Sequence, residues 1–347
     1  MKRFQILLFY CFLTLIFCEK IQSSEVLIIG GGPTGLATAI EAHKKGAHVT
    51  IIEKRASYSR PQFVFLLKSS LDLLESWNVA LSHLQVLDFG GEHMGLVRIK
   101  NLEKGLNARI KELGIKKIQG EFRALEKDKK EAIVAISGEN ISLPYDFLVA
   151  ADGVHSKVRD FAGIECECLG QAVGVWTFVP FKDHSRGVDV SPILKKEDYF
   201  IRRISVPTGS IIFLQSFTHD TELFAHISLE DLKEKVAKCE WFLEVEKLET
   251  DPVIIADNVS ILLQKAKTFS SSQKGVLVLG DAAATASFFH GMGVNTSLQT
   301  AVLAGDFFQN SDRQAAYVDF NHKMEEVTDQ LINFSRFLFE EEHIDEE

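Results

Sequence analysis

The stretch from Glu25 to Glu53, EVLIIGGGPTGLATAIEAHKKGAHVTIIE, constrains this chain more than any other part of it. Val26 to Ile29 form a short, wholly apolar run, the texture of a strand that a parallel sheet buries on both faces. Gly30, Gly32 and Gly35 follow at G-x-G-x-x-G spacing, and Leu36, Ala39, Ile40 and His43 continue at helical period. Gly46 stops that helix, and His48 to Ile52 read as a second strand closed by Glu53. This is a βαβ unit opening on a dinucleotide site.

Each residue type in that unit has a reason. Gly30 allows the tight turn, Gly32 lets the backbone approach a pyrophosphate, and Gly35 lets helix and strand pack closely. Pro33 suits the first helical turn, where its missing N–H costs nothing, and Thr34 follows it there. The free N–H groups of that turn and the positive end of the helix dipole suit a diphosphate. The carboxylate of Glu53 stands at the usual distance to accept hydrogen bonds from an adenosine ribose. The unit alone leaves FAD and NAD equally open.

A length of 347 residues suggests two domains of ~150 residues each. The formal net charge is −10, spread along the chain, so no concentrated basic face offers itself to nucleic acid. Residues 1–23 stand apart as a signal peptide or a short membrane anchor. Lys2 and Arg3 precede the apolar run Phe4 to Cys18, which as a helix spans ~22 Å. The hydrocarbon core of a bilayer is ~30 Å thick, so the run suits a secretory signal better than a span. Secretion, the periplasm or membrane anchoring are the destinations such a leader implies; without it the chain would be cytoplasmic. The five cysteines make no disulfide framework. Cys166 and Cys168 lack a second Cys/His pair nearby, so no metal site is expected.

Further along, Phe65 to Trp77 and Val97 to Leu113 read as amphipathic helices, and Ile115 to Ile118, Ala132 to Ile136 and Phe147 to Ala151 as strands. From Cys166 to Ser271 the texture turns β-rich. Ala172 to Phe181, Tyr199 to Ser205, Ser210 to Phe217 and Glu222 to Ile227 read as strands, with Pro207-Thr208-Gly209 as a hairpin turn. Leu229 to Phe242 reads as one helix. Buried-strand texture returns at Gly275 with GVLVLGD, followed by a helix from Asn295 to Phe308.

Three separated stretches combine: the glycine fingerprint, Leu148 to Arg159 (LVAADGVHSKVR) and Gly275 to Gly305 (GVLVLGDAAATASFFHGMGVNTSLQTAVLAG). Together they resemble the FAD-dependent class A aromatic hydroxylases, the para-hydroxybenzoate hydroxylase family. That family carries the fingerprint, an Asp-Gly motif before Ser-x-x-Arg, and a Gly-Asp motif leading to G-x-G-x-N, in this order. The resemblance implies an α/β fold: a Rossmann-like FAD-binding domain of the GR2 type with a parallel sheet, in residues 24–165 and 272–311. A β-rich substrate domain, 166–271, is inserted into it, and 312–347 form a C-terminal helix and an acidic tail. The Glu53 to Arg60 segment also resembles the flavin domain of the actin-oxidising MICAL proteins.

By the same resemblance, Gly30, Gly32, Pro33, Thr34 and Gly35 hold the FAD pyrophosphate, and Glu53 the adenosine ribose. Lys54, Arg55 and Arg60 lie within reach of FAD. Arg98 stands where the family has an arginine that starts a helix and reaches the cofactor; otherwise it is an exposed helix-start arginine. Asp152 and Gly153 brace the place where nicotinamide and flavin meet. Asp281, Gly293, Val294 and Asn295 contact the ribityl chain and the isoalloxazine. Trp176, Phe178, Phe213, Phe288 and Phe289 are candidates for an apolar pocket wall. The implied activity is an NAD(P)H-dependent monooxygenase that uses O2 to hydroxylate a small aromatic or apolar substrate through a flavin hydroperoxide. A flavin-dependent reductase on the same fold, or a non-catalytic flavin-binding protein, is the alternative. Two departures bear on that choice. Ala284 replaces the histidine usual after Gly-Asp-Ala-Ala, and Phe288 replaces a proline. His290 is the one candidate for a flavin-side acid.

Overall fold

The computed structural model describes residues 23–89, 92–180, 189–191, 194–195, 199–206, 209–216, 228–236, 253–287 and 291–340. The leader through residue 22, the Glu222 to Ile227 strand, Phe288, Phe289, His290 and the acidic tail from residue 341 therefore lie outside the described residues. Among the described residues no helix is long and apolar enough to cross a membrane.

The chain opens with strand β1 (Glu25–Ile29), helix α1 (Pro33–Lys44) and strand β2 (His48–Glu53). All of β1 beyond Glu25 is buried, and so are the first ten residues of α1. A continuous apolar strand is stable only with both faces covered. Next come β3 (Phe63–Leu66), α2 (Lys68–Ser76), β4 (Gln85–Phe89), β5 (Glu92–Arg98) and α3 (Ile99–Glu112). The order continues with β6 (Lys116–Gln119), β7 (Glu121–Leu125), β8 (Glu131–Ile136), β9 (Glu139–Pro144), β10 (Phe147–Ala150) and α4 (Lys157–Ala162).

Two of these elements differ from the sequence reading. The expected helix from Phe65 begins only at Lys68, because Phe63–Leu66 pairs antiparallel with Gly95–Arg98. For the same reason the helix expected from Val97 begins at Ile99. An apolar run such as Phe63–Leu66 carries no period of its own, and tertiary pairing decides its state.

Then follow β11 (Cys166–Pro180), β12 (Asp189–Val190), β13 (Leu194–Lys195), β14 (Phe200–Val206), β15 (Gly209–Ser216), α5 (Leu229–Val236) and β16 (Val253–Ala266). The chain ends with β17 (Ser270–Ser271), β18 (Val276–Val278), a 3-10 turn (Gly280–Ala282), β19 (Ala284–Thr285), α6 (Met292–Gln309) and α7 (Arg313–Glu340).

The main sheet has strand order β17-β18-β10-β1-β2-β6, parallel throughout except at β17. The carboxyl ends of β1, β2, β10 and β18 thus share one edge, where open α/β sheets bind ligands. The second sheet, β12-β14-β15-β11-β16-β19 with β13 beside β14, is antiparallel. Its faces are covered differently. On one, Val175, Ile201 and Leu214 pack with Leu232 and Val236 of α5. On the other, Trp176, Ile204, Ile211 and Phe213 pack with Leu87 of β4 and Leu96 of β5. The small β3-β5-β4 sheet therefore stands between the two halves of the molecule. β16 and β19 belong to the antiparallel sheet and β17 and β18 to the main one, so the chain crosses between the sheets at residues 267–269 and again at the Gly280 turn.

Candidate active site

Gly30, at the end of β1, has φ of +109°, and a methyl added there would overlap the carbonyl of Ala151 beyond β10. A methyl on Gly35 would overlap the carbonyl of Gly30. Both glycines are dictated by protein packing. Gly32 is different: an added Cβ would meet nothing nearer than the Arg60 guanidinium at 3.5 Å. Gly32 is also the N-cap of α1, with no side chain capping the helix. The open face of that turn and its free N–H groups suit an anion.

The arginines above it are held in place. Glu53 is buried, and its carboxylate accepts from the Gly31 N–H (2.6 Å), the Arg55 N–H (2.8 Å) and the Arg55 guanidinium. Burial pushes the Glu53 carboxyl up, but the Arg55 and Gly31 bonds outweigh it and hold the group below its ordinary value. The same contact with Glu53 raises Arg55. Glu103 of α3, fully buried, accepts from both Arg55 and Arg60. Two carboxylates thus fix two guanidiniums beside Gly32.

Asp152 closes the second motif. Its carboxylate accepts from Ser156 Oγ (2.5 Å) and, at 3.3 Å, from the Val158 N–H. Ser156 in turn caps α4 through the Arg159 N–H, so the Asp-Gly turn and the helix start are one unit. Burial raises the Asp152 carboxyl against these bonds.

The third motif meets the first directly. Gly280 has φ of +56°, and a methyl there would overlap Thr34 Oγ1 of α1. Asp281 follows, its side chain exposed to the cleft. Poor solvation raises its pKa, opposed only by Arg60. Gly291, at φ of +64°, is the N-cap of α6 and again has no side-chain cap. An added Cβ at Gly293 would find nothing within 4 Å.

One cavity of about 380 Å³ joins these parts. From the first motif it takes Gly30, Gly32, Pro33 and Thr34, then Glu53, Lys54, Arg55 and Arg60. Asp152 and Gly153 border it, and so do Asp281, Gly293 and Val294. Its apolar end is Phe63, Phe65, Ile204 and Ile211 with Trp176 and Phe213, whose rings meet edge to face at 5.2 Å.

Four of the expected residues do not line that cavity. Gly35 lies beneath, packed on Gly30. Arg98 caps α3 with its guanidinium 4.5 Å above the Phe63 ring, one layer behind the cavity. The Asn295 side chain is consumed by protein: Oδ1 accepts from the Leu67 N–H and Ser70 Oγ, and Nδ2 donates to the carbonyls of Phe65 and Gly291. It ties the start of α6 to β3 and α2. Phe178 packs against Phe63 instead of facing the cavity. Gly120, Phe122, His155, Lys157, Ala286 and Ser287 line the cavity without having announced themselves. Their only shared signal is position just beyond a strand or turn of the site. Among the described residues no cluster of His, Cys, Asp or Glu could hold a metal.

A cleft with a glycine-headed helix start at each end, an acid on one strand end and an aromatic wall defines a dinucleotide-flavin site. The chain belongs to the FAD binding domain family, whose model matches residues 23–85 and 73–315. It is similar to the digeranylgeranylglycerophospholipid reductase of Methanococcus vannielii, 26% identical over 162 residues, 42% of each protein. It is also similar to the [F-actin]-monooxygenase MICAL2 of Homo sapiens, 50% identical over 48 residues, 14% of this chain and 2% of that one. The matched stretches thus span less than half of either relative. Among solved structures, 2-methyl-3-hydroxypyridine-5-carboxylic acid oxygenase shares the fold at a TM-score of 0.67. Identity there is 19%, over 90% of both chains.

The site's residues fit FAD. Gly32 and Gly293 leave open space where a side chain would obstruct the cofactor, and both helix starts lack protein caps.

Proposed function

We propose that the protein is an NAD(P)H-dependent flavin monooxygenase acting on a small aromatic or apolar substrate. The observation that carries this reading is the pair of uncapped helix starts, α1 and α6, opening on one cavity with Asp281 between them. Bound FAD would supply two-electron redox chemistry and, once reduced, reaction with O2.

The chain's own residues divide the remaining work. The N–H groups at Gly32 and the guanidiniums of Arg55 and Arg60 would hold the diphosphate. Asp281 would accept from ribityl hydroxyls, and the start of α6 would face the pyrimidine edge. A helix terminus favours negative charge there by about 1 kcal/mol, which tunes the ring without supplying its reactivity. Trp176, Phe213, Ile204 and Ile211 exclude water and offer a flat substrate an apolar face. Residues 1–23, read as a leader, would direct the chain to a membrane or beyond it.

A reductase acting without oxygen insertion is the second reading. Ala284 favours it: it is buried in β19, paired with Lys265, where the family's usual histidine would stand. The reductase name of one relative agrees with it.

Purified protein reconstituted with FAD decides between them. NADPH oxidation that consumes O2 in step with an added aromatic substrate supports the monooxygenase. Flavin reduction with O2 going only to peroxide supports the reductase. A colourless protein that takes up no FAD sinks both.

A further inference from the structure

The apolar end of the cavity has a polar residue directly behind its wall. Gln215 stands on β15, two residues beyond Phe213 and four beyond Ile211, and alternate residues of a strand share one face. Ile211 and Phe213 both line the cavity, so Gln215 continues the same face. It is fully buried. Its Oε1 accepts from Ser287 Oγ at 2.7 Å, and Ser287 itself lines the cavity. Ser287 is anchored from behind by Ser335 of α7, whose Oγ accepts the Ser287 N–H at 3.1 Å. The amide therefore sits one hydrogen bond behind the cavity wall, on a segment held at both ends.

Among the described residues Gln215 Nε2 has no hydrogen-bond partner. A buried amide donor left unmatched is destabilising, and folded proteins rarely keep one without a use. The residue directly opposite Gln215 on β11 is Gly174, which presents no side chain to that face.

We propose that Gln215, steadied by Ser287, is a specificity-determining residue that binds a hydrogen-bond-accepting oxygen on an otherwise flat, apolar substrate. This rests on reading the cavity as the substrate site. The Trp176 and Phe213 rings take the ring face, and the Gln215 amide fixes which edge of the substrate is turned towards the β11–β15 side. A site built to donate a hydrogen bond discriminates against an analogue of the same shape that lacks the acceptor.

The test uses two probes of nearly equal size, acetophenone and ethylbenzene, on the full-length protein loaded with FAD. Affinity is read from the ligand-induced rise in melting temperature, which needs no turnover. Wild type is expected to prefer acetophenone by about tenfold, one hydrogen bond's worth. Gln215→Met should reduce that preference to less than about twofold while binding ethylbenzene as wild type does, and its unliganded melting temperature should not fall. Should that variant fail to fold, Ser287→Ala carries the test, because it removes the tether and should weaken the acetophenone preference alone. Equal or absent response to the two probes in wild type, or a preference that survives both substitutions, overturns the proposal. A protein that takes up no FAD defeats the flavin reading instead, and the probe pair measured on that protein still decides Gln215.

Discussion

Thr34 Oγ1, in the first turn of α1, occupies the space that any side chain on Gly280 would need. These residues are far apart in sequence, and their contact brings the Gly32 end and the Asp281 end of the cleft into one frame.

Gly280→Ala should therefore be costly. The new methyl meets Thr34, and the residue must hold φ of +56°, a left-handed conformation unfavourable to alanine by ~1–2 kcal/mol. Overpacking adds about 1–3 kcal/mol. Chemical denaturation of the FAD-free variant is expected to show the loss. A midpoint equal to wild type would mean that the two loops do not touch.

Gly293→Ala should behave in the opposite way. No described residue lies within 4 Å of the added Cβ, and the residue is helical, where alanine is preferred by about 1 kcal/mol. Stability should hold or rise slightly while FAD affinity drops. Fluorescence titration of FAD against both variants separates the two glycines: one is required by the fold, the other by what the cleft holds.

That contrast also marks how far the sequence could be read. The βαβ unit from Glu25 to Glu53 was legible because a strand buried on both faces, a glycine turn and an amphipathic helix each leave a local pattern. The Asp281 turn was legible for the same reason. Asn295 was placed on the flavin by its motif, yet its four bonds go to Phe65, Leu67, Ser70 and Gly291. Those partners come from a segment read as helix throughout, because Phe63–Leu66 reveals itself as a strand only once β5 lies beside it. The Glu103 clamp on Arg55 and Arg60 was equally hidden. Nothing in the period of α3 distinguishes a buried glutamate that meets two arginines from one that faces water. Gln215 and Ser287 meet across three elements, and only the folded chain brings them together.

Asn295→Ala follows from those bonds. It strands the Leu67 N–H and the carbonyls of Phe65 and Gly291 in a partly buried setting, at about 1–3 kcal/mol for each group that finds no water. The melting temperature is expected to fall by roughly 5 °C or more, taking ~2–4 °C per kcal/mol. FAD affinity, measured well below the transition, should change less than about threefold, since the side chain does not reach the cavity. A variant with wild-type stability and lost flavin would return Asn295 to the role its motif implied.

The acid limb of FAD binding should belong to Asp281. Poor solvation raises this carboxyl above the ordinary aspartate value, so in the FAD-free protein it keeps its proton to higher pH than an unfolded chain would. The sign follows: this group favours the folded state at low pH, and that contribution is lost as pH rises from the ordinary value through the raised one. In the proposed complex ribityl hydroxyls would donate to the ionised form, so cofactor binding would release the proton, and affinity should weaken as pH falls through the raised value. The other charged groups on the cleft pull elsewhere. Glu53 is held below its ordinary value, so its stabilisation persists to lower pH and is lost only in stronger acid. Arg55 stays charged throughout. Asp152, also raised by burial, is the one group titrating in the same direction, but its oxygens are committed to Ser156 and Val158. Asp281→Asn should accordingly flatten the acid side of the pH dependence of the FAD dissociation constant. If the variant keeps the wild-type pH profile, the proton released on binding comes from another group, and Asp281 does not face the cofactor.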